Sequence, residues 1–353
     1  MTAITRRLLI PVLFFTFFTG ALLIVVSTTS ARRHGAQVSR DVHVSNGAQT
    51  SASARRVAVT FDDLPMTGDG GRSTGEQVLE NLSKIAATLK ANNVPATGFV
   101  NEGSMRNPAQ REARTNALRA WLDAGLDLGN HTYSHKDFYN TPLVAFEREV
   151  IDGEPVTRSL LAERGKTLRY FRHPFLNTGR TLAAKRAFEK FLATRGYRVA
   201  PVTIDNSEWI FAREYSDALT KNDAEKARRV VEGYVPYMES MFEFYERLSR
   251  DLFGREIPQV LLVHANKLNG DHFPEMIEMM RRRGYQFITL DEALSDAAYQ
   301  SRDDYVGAWG ISWLQRWLVT RGQALRAEPS MPEYMRQFDP DNSGSDFKTC
   351  KGR

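Results

Sequence analysis

The 353 residues, 42% of them hydrophobic, are enough chain for one large domain or two small ones around a buried core. The net charge of +5 falls to +3 once the two arginines of residues 1–31 are set aside, a balance that excludes a dedicated nucleic-acid surface and suits an acidic envelope. A single cysteine, Cys350, excludes an intrachain disulfide and a cysteine zinc site, so any metal must be held by His, Asp or Glu.

Arg6-Arg7 precede Leu8 to Val26, a run that is apolar apart from Pro11, Thr16, Thr19 and Gly20 and that leaves through the small residues Ser27 to Ala31. This is read as an export signal over 1–31, either cleaved or kept as a membrane anchor. The polar stretch 32–54 reads as a flexible linker. The folded domain then spans 55–302 and a tail follows over 303–353.

Val57 to Phe61 reads as a buried strand that ends in Asp62-Asp63. Gly75 to Asn92 carries Val78, Leu82, Ile85 and Leu89 at helical spacing, and Ala96 to Val100 is the second strand. A helix from Pro108 to Ala124 leads to the strand Leu126 to Asn130, which runs into His131 and His135. Leu143 to Arg164 is a helix, Leu168 to Arg172 a strand, Thr181 to Arg195 a helix, and Arg198 to Ile204 a strand ending at Asp205. The last two strands are Gln259 to Val263, ending at His264, and Gln286 to Leu290, with a helix Phe273 to Arg283 between them.

Seven strands alternating with helices predict an α/β fold, a parallel barrel or sheet. The alternation breaks over about 207–255, where Tyr234, Tyr237, Met238, Met241, Phe242, Phe244 and Tyr245 predict a helical pair packed over the core. In the tail, Trp309, Trp313 and Trp317 recur every four residues and are placed on one helical face docked on the domain.

Parallel α/β architectures gather their strand C-termini on one face, so Asp62-Asp63, His131 to His135, Arg172, Asp205 and His264 are expected to share a pocket. Neighbouring strand residues point to opposite sides, which assigns the two aspartates different tasks, one facing a metal and the other a water. His131 and His135 would face one point if they lay on a helical turn, and with an aspartate they complete a His, His, Asp set suited to zinc, with other divalent ions accommodated.

Thr60-Phe-Asp-Asp63, Asn130-His-Thr-Tyr-Ser-His135, Arg172-His-Pro-Phe175, Asp205 to Trp209 and Leu261-Leu-Val-His264 resemble the five ordered motifs of the polysaccharide deacetylases, the NodB-homology carbohydrate esterases of family 4. The resemblance covers about Arg56 to Leu290 and implies an irregular (β/α) barrel of about seven parallel strands, with the helical insertion and helical tail as additions. It implies that Asp63, His131 and His135 hold a divalent metal, zinc first and cobalt, nickel or manganese as alternatives. By the same match Asp62 is the general base held by Arg172, His264 is the general acid oriented by Asp205, and Pro174, Phe175 and Trp209 contact substrate.

The function expected is removal of acetyl groups, mainly N-acetyl, from a cell-envelope or extracellular glycan. The alternatives are hydrolysis of a small amide, imide or O-acetyl ester, and metal-independent glycan binding through the insertion aromatics or the tail tryptophans. The chain departs from the motifs in Phe175-Leu-Asn-Thr-Gly179, in Glu208 before Trp209 and in Ala265 after His264, departures that bear on the substrate walls. His173 and His272 are read as bystanders, no protein partner is inferable, and a membrane is touched only through an uncleaved N-terminal segment.

Overall fold

Arg55–Leu64 forms β1, the strand around which the sheet is assembled. The computed structural model describes residues 55–68 and 70–338, all within the unit Ala52–Arg353. The export segment, the linker, and the end of the tail with Cys350 lie outside the described residues.

The remaining strands are Ala96–Val100 (β2), Asp127–Asn130 (β3), Tyr170–Phe171 (β4), Arg198–Val199 (β5), Gln259–His264 (β6) and Tyr285–Phe287 (β7). They run in the order β5-β4-β3-β2-β1-β6, with β7 on the N-terminal end of β1, and every pairing is parallel. The wall then returns on itself. Beyond β5, Ile204 bridges to Leu261 in parallel, its N–H donating to the Val260 carbonyl at 3.0 Å while Leu262 N–H donates to Ile204 at 3.1 Å. This is the irregular (β/α) barrel. The strand expected over Arg198 to Ile204 is cut short because Pro201 has no N–H to offer the ladder, leaving β5 and a one-residue bridge.

β1 alternates between two apolar layers. Val57, Val59 and Phe61 join the large core shared with the surrounding helices, where Trp121 meets Phe61 edge-on at 5.5 Å. Ala58 joins a smaller cluster with Phe99 of β2, Tyr170 of β4, Ala200 just after β5 and Val260 of β6, plugged by Leu290, Ala293 and Leu294. By the two-residue period, Thr60 and Asp62 continue the column of Ala58. The inner column therefore climbs from an apolar plug to a carboxylate.

The helices are Gly75–Ala91 (α1), Pro108–Asp123 (α2), Leu143–Asp152 (α3), Pro155–Ala162 (α4), Leu182–Thr194 (α5), Glu208–Thr220 (α6), Ala224–Phe253 (α7), Lys267–Arg282 (α8), Leu290–Leu294 (α9), Trp313–Thr320 (α10) and Glu333–Arg336 (α11). Local chemistry explains the boundaries that differ from expectation. The helix read over Leu143 to Arg164 breaks at Gly153-Glu154, and Pro155 opens α4 at a first-turn position where its missing N–H costs nothing. α8 begins well before Phe273 because the Asn266 side chain accepts from Asn269 N–H as an N-cap. β7 stops early because Thr289 caps α9 and draws Leu290 into a helix.

The insertion is the expected helical pair, α6 and α7. Phe211 stacks on Tyr237 at 5.2 Å, and Tyr234, Met238, Met241, Phe242 and Tyr245 are fully buried. The tail departs from the single-face expectation: α10 starts at Trp313, so Trp309 lies outside it. Trp313 and Trp317 are buried while Trp309 is 52% exposed.

Candidate active site at the strand C-termini

Asp62 stands on the inner column of β1, level with His264 of β6 in the parallel register. Arg172, fully buried at the exit of β4, donates from Nη1 to both Asp62 oxygens at 3.1 and 3.2 Å, from Nη2 to Thr60 Oγ1 at 3.0 Å, and from Nε to the Ala200 carbonyl at 2.8 Å. Its guanidinium lies 4.5 Å over the Phe99 ring. Burial pushes the Asp62 carboxyl above the ordinary carboxylate range, against the pull of Arg172 and the nearby histidines. The pair thus gives a carboxylate that is held in place and made more basic than a free one.

Asp63 does not turn away as strict alternation requires. Its φ is +62°, and the register with β2 shifts between Phe61 and Leu64. The bulge aims both carboxylates at one imidazole: His131 Nε2 is 3.7 Å from Asp62 Oδ2 and 3.6 Å from Asp63 Oδ1. His135 Nε2 lies 3.3 Å from the same Asp63 oxygen.

The two histidines converge without a helical turn. Thr132 and His135 both adopt the left-handed region, with φ of 68° and 57°, and the segment is fastened from several sides. Thr132 N–H donates to Asn130 Oδ1 at 2.7 Å, and Tyr133 N–H to the Glu149 carbonyl at 2.9 Å. Ser134 N–H donates to the Glu149 carboxylate at 2.8 Å, while Asn101 donates to the His131 carbonyl. Asn101 and Glu149 are supports that the motif spacing does not reveal. Gly153 also abuts this segment: a Cβ there would fall 2.6 Å from Thr132 C and 2.7 Å from Tyr133 N, both backbone atoms. Gly153→Ala is therefore expected to destabilise the fold by about 1–3 kcal/mol, read as a lowered midpoint in thermal unfolding.

Asp63, His131 and His135 offer ligand atoms that all lie within 4.8 Å of one another, and their chemistry fits a divalent ion. His131 is buried, which pushes its imidazole pKa down to about 3, with His135 adding to the effect. Its Nδ1 lies 2.9 Å from the Arg172 carbonyl, a contact that places the proton on Nδ1 and leaves the Nε2 lone pair facing Asp63. Asp63 Oδ1 is buried with no hydrogen-bond partner among the described residues, a state a bound cation would relieve.

On the opposite strand neighbour, His264 Nδ1 lies 2.8 Å from Glu208 Oε2, and this corrects the role given to Asp205. Glu208 is fully buried and its other oxygen accepts from the side-chain amides of Asn266 and Asn269. Burial would lower the His264 pKa, but the Glu208 hydrogen bond and charge outweigh it and raise the value to about 9, helped by Asp63 and Asp62. Asp205 instead accepts from the Asn206 backbone N–H at 2.9 Å, and burial followed by the charge of Glu328 pushes its pKa up to about 7. The reason is the turn after the Ile204 bridge: it ends the strand at Asp205 and brings Glu208, at the first position of α6, back against β6. The signal was present as Glu208-Trp209, read as a feature of the substrate wall.

Of the expected substrate contacts, Phe175 is 60% exposed with its ring 4.4 Å from that of His135. Trp209 is 39% exposed at the start of α6, with the Arg213 guanidinium 5.6 Å from its ring centre. Pro174 is buried, which leaves it no open face for a substrate. His173 is buried among Phe138, Phe146, Phe171 and Phe188, and His272 contacts Glu275 on α8 at 3.0 Å.

Residues 49–190 match the family model described as Polysaccharide deacetylase, and no curated protein matches the chain. Among solved structures, the chain is similar to a family 4 carbohydrate esterase from Streptomyces lividans in complex with acetate (21% identity, 69% of this chain and 97% of that one covered, TM-score 0.40). It is similar to the peptidoglycan deacetylase PdaC from Bacillus subtilis (17% identity, 70% and 95% covered, TM-score 0.42). It is also similar to BA3943 from Bacillus anthracis, described as a CE4 family pseudoenzyme (14% identity, 69% and 66% covered, TM-score 0.42). The segment that matches the polysaccharide deacetylase model, residues 49–190, holds Asp62, Asp63, His131, His135 and Arg172.

Proposed function

We propose that the chain is an exported, metal-dependent hydrolase that removes acetyl groups, mainly N-acetyl, from a cell-envelope or extracellular polysaccharide. The observation that carries the reading is the pairing of Asp62 with His264 at one level of adjacent strands. One is tied to Arg172 and the other to Glu208, beside the Asp63, His131 and His135 set.

Asp63, His131 and His135 would hold a divalent ion, for which zinc suits the donor set and cobalt, nickel or manganese are alternatives. Such an ion supplies Lewis-acid polarisation of the acetyl carbonyl and a lowered pKa for water. Asp62 accepts the proton of the attacking water, its basicity raised by burial and its orientation set by Arg172. His264, protonated because Glu208 faces its Nδ1, donates from Nε2 to the departing nitrogen. An amide needs both steps, since water is a poor nucleophile and the amine a poor leaving group. Export rests on the N-terminal run 1–31, which places the acetylated glycan and the site on the same side of the membrane.

The test is acetate release by the full chain from N-acetylglucosamine oligomers, peptidoglycan and acetylated xylan. Release abolished by a chelator and restored by zinc is the expected result. Release that persists with the metal removed would overturn the metal assignment, and absence of release from every polymer would overturn the deacetylase reading.

A further inference from the structure

The C-terminal segment lies outside the family-matched residues, yet it is sewn onto the rim of the site. Asn177 Nδ2 donates to the carbonyls of Gly307 and Ala308 at 3.1 Å each. Gly310 presses on the loop after β4 so closely that a Cβ there would lie 1.7 Å from the Phe175 carbonyl oxygen. Ser312 Oγ donates to the Thr203 carbonyl at 2.8 Å, and Trp313 N–H donates to the Val202 carbonyl at 2.7 Å.

Arg316 completes the attachment. It is fully buried and donates to the Leu176 carbonyl and, at 3.1 Å, to Thr178 Oγ1. These bonds clamp a loop in which Phe175 and Leu176 both hold left-handed backbone, with φ of 54° and 52°. Non-glycine residues resist that conformation, and two in succession persist only where the surroundings impose them. What the imposed geometry achieves is the presentation of a phenylalanine to solvent against a candidate metal ligand. Trp309, immediately before the glycine that abuts this loop, is a second large aromatic left more than half exposed, and its carbonyl is held by Tyr305 Oη–H at 2.8 Å.

We propose that Trp309 and Phe175 form an aromatic platform for a sugar ring of the glycan next to the acetylated residue, so that the tail supplies part of the substrate-binding surface. A pyranose ring presents an apolar C–H face and a hydroxylated edge. Exposed aromatic rings match the face while the edge stays in water. Arg316 is a positioning residue for this platform, since it is fully buried and acts through the loop it holds. The inference rests on the deacetylase reading.

The experiment compares the full chain with Trp309→Ala on the N-acetylglucosamine pentamer and on 4-nitrophenyl acetate, which offers no second sugar. The variant is expected to raise KM for the pentamer about tenfold, with kcat changed less and ester hydrolysis less affected, and Trp309→Phe is expected to recover most of the loss. An unchanged KM, or an equal loss on both substrates, would overturn the platform. Should the parent release acetate from neither probe, the deacetylase reading falls by itself, and calorimetric titration with the pentamer decides the platform separately. Weaker binding by Trp309→Ala than by the parent would keep it, and equal or absent binding would reject it.

Discussion

On the proposed mechanism, Asp62→Asn is expected to lower turnover by about 10²- to 10⁴-fold while metal binding at the candidate ligands Asp63, His131 and His135 is unchanged. The carboxylate stands on the inner column at the level of His264, and an amide in its place cannot accept the proton of water. Asp63, His131 and His135 remain to hold the ion. The substitution also leaves the buried Arg172 without its anionic partner, so some stability is lost with the rate. Acetate release, metal content and a thermal unfolding curve on one preparation separate these effects. Normal turnover in a folded variant would remove Asp62 as the base, and lost metal would move it among the ligands.

Glu208→Gln is expected to shift the alkaline limb of the pH–rate profile to lower pH. His264 must carry a proton to act as an acid, so activity is present below its pKa and lost as pH rises through it. In the native protein that value is raised to about 9, because Glu208 outweighs the burial that would otherwise lower it. Removing the charge leaves burial in command, and at pH values just below the native limb turnover should fall by on the order of 10²-fold. The same shift bears on folding: a histidine pKa raised from 6.5 to about 9 contributes stability that is complete below 6.5 and lost as pH rises toward 9. An alkaline limb that stays in place in Glu208→Gln would show that another group donates the proton.

The parts of the fold that alternate or repeat were legible in the residues. Val57 to Phe61 announces a buried strand, and the aromatic stripe of α7 announces the core it packs on. The parts set by single unusual backbone angles were not. Asp63, Thr132 and His135 are left-handed without being glycine, and propensity offers no warning of that. Those angles bring both aspartates to His131 and make His131 and His135 converge on Asp63 without a helix. Glu208 illustrates another gap: its partner is 56 residues away in sequence, and only the turn after Ile204 decides that it, and not Asp205, reaches His264. The tail tryptophans do not share one face, because a four-residue spacing implies that only if the helix includes all of them, and α10 begins at Trp313.

Arg172 has a consequence beyond the base it holds. Its side chain fixes Asp62, its backbone carbonyl fixes the His131 tautomer, and its Nε ties down Ala200 where the wall approaches closure. Asp62, His131 and the Ala200 backbone therefore all depend on contacts with one residue, and their energies are coupled. Substitutions at Asp62, His131 and Arg172 will not sum, because the first change at this node already spends interactions that the others would remove. The contacts of Arg172 join Asp62, His131 and the Ala200 backbone into one network, so a change at any of the three bears on the other two.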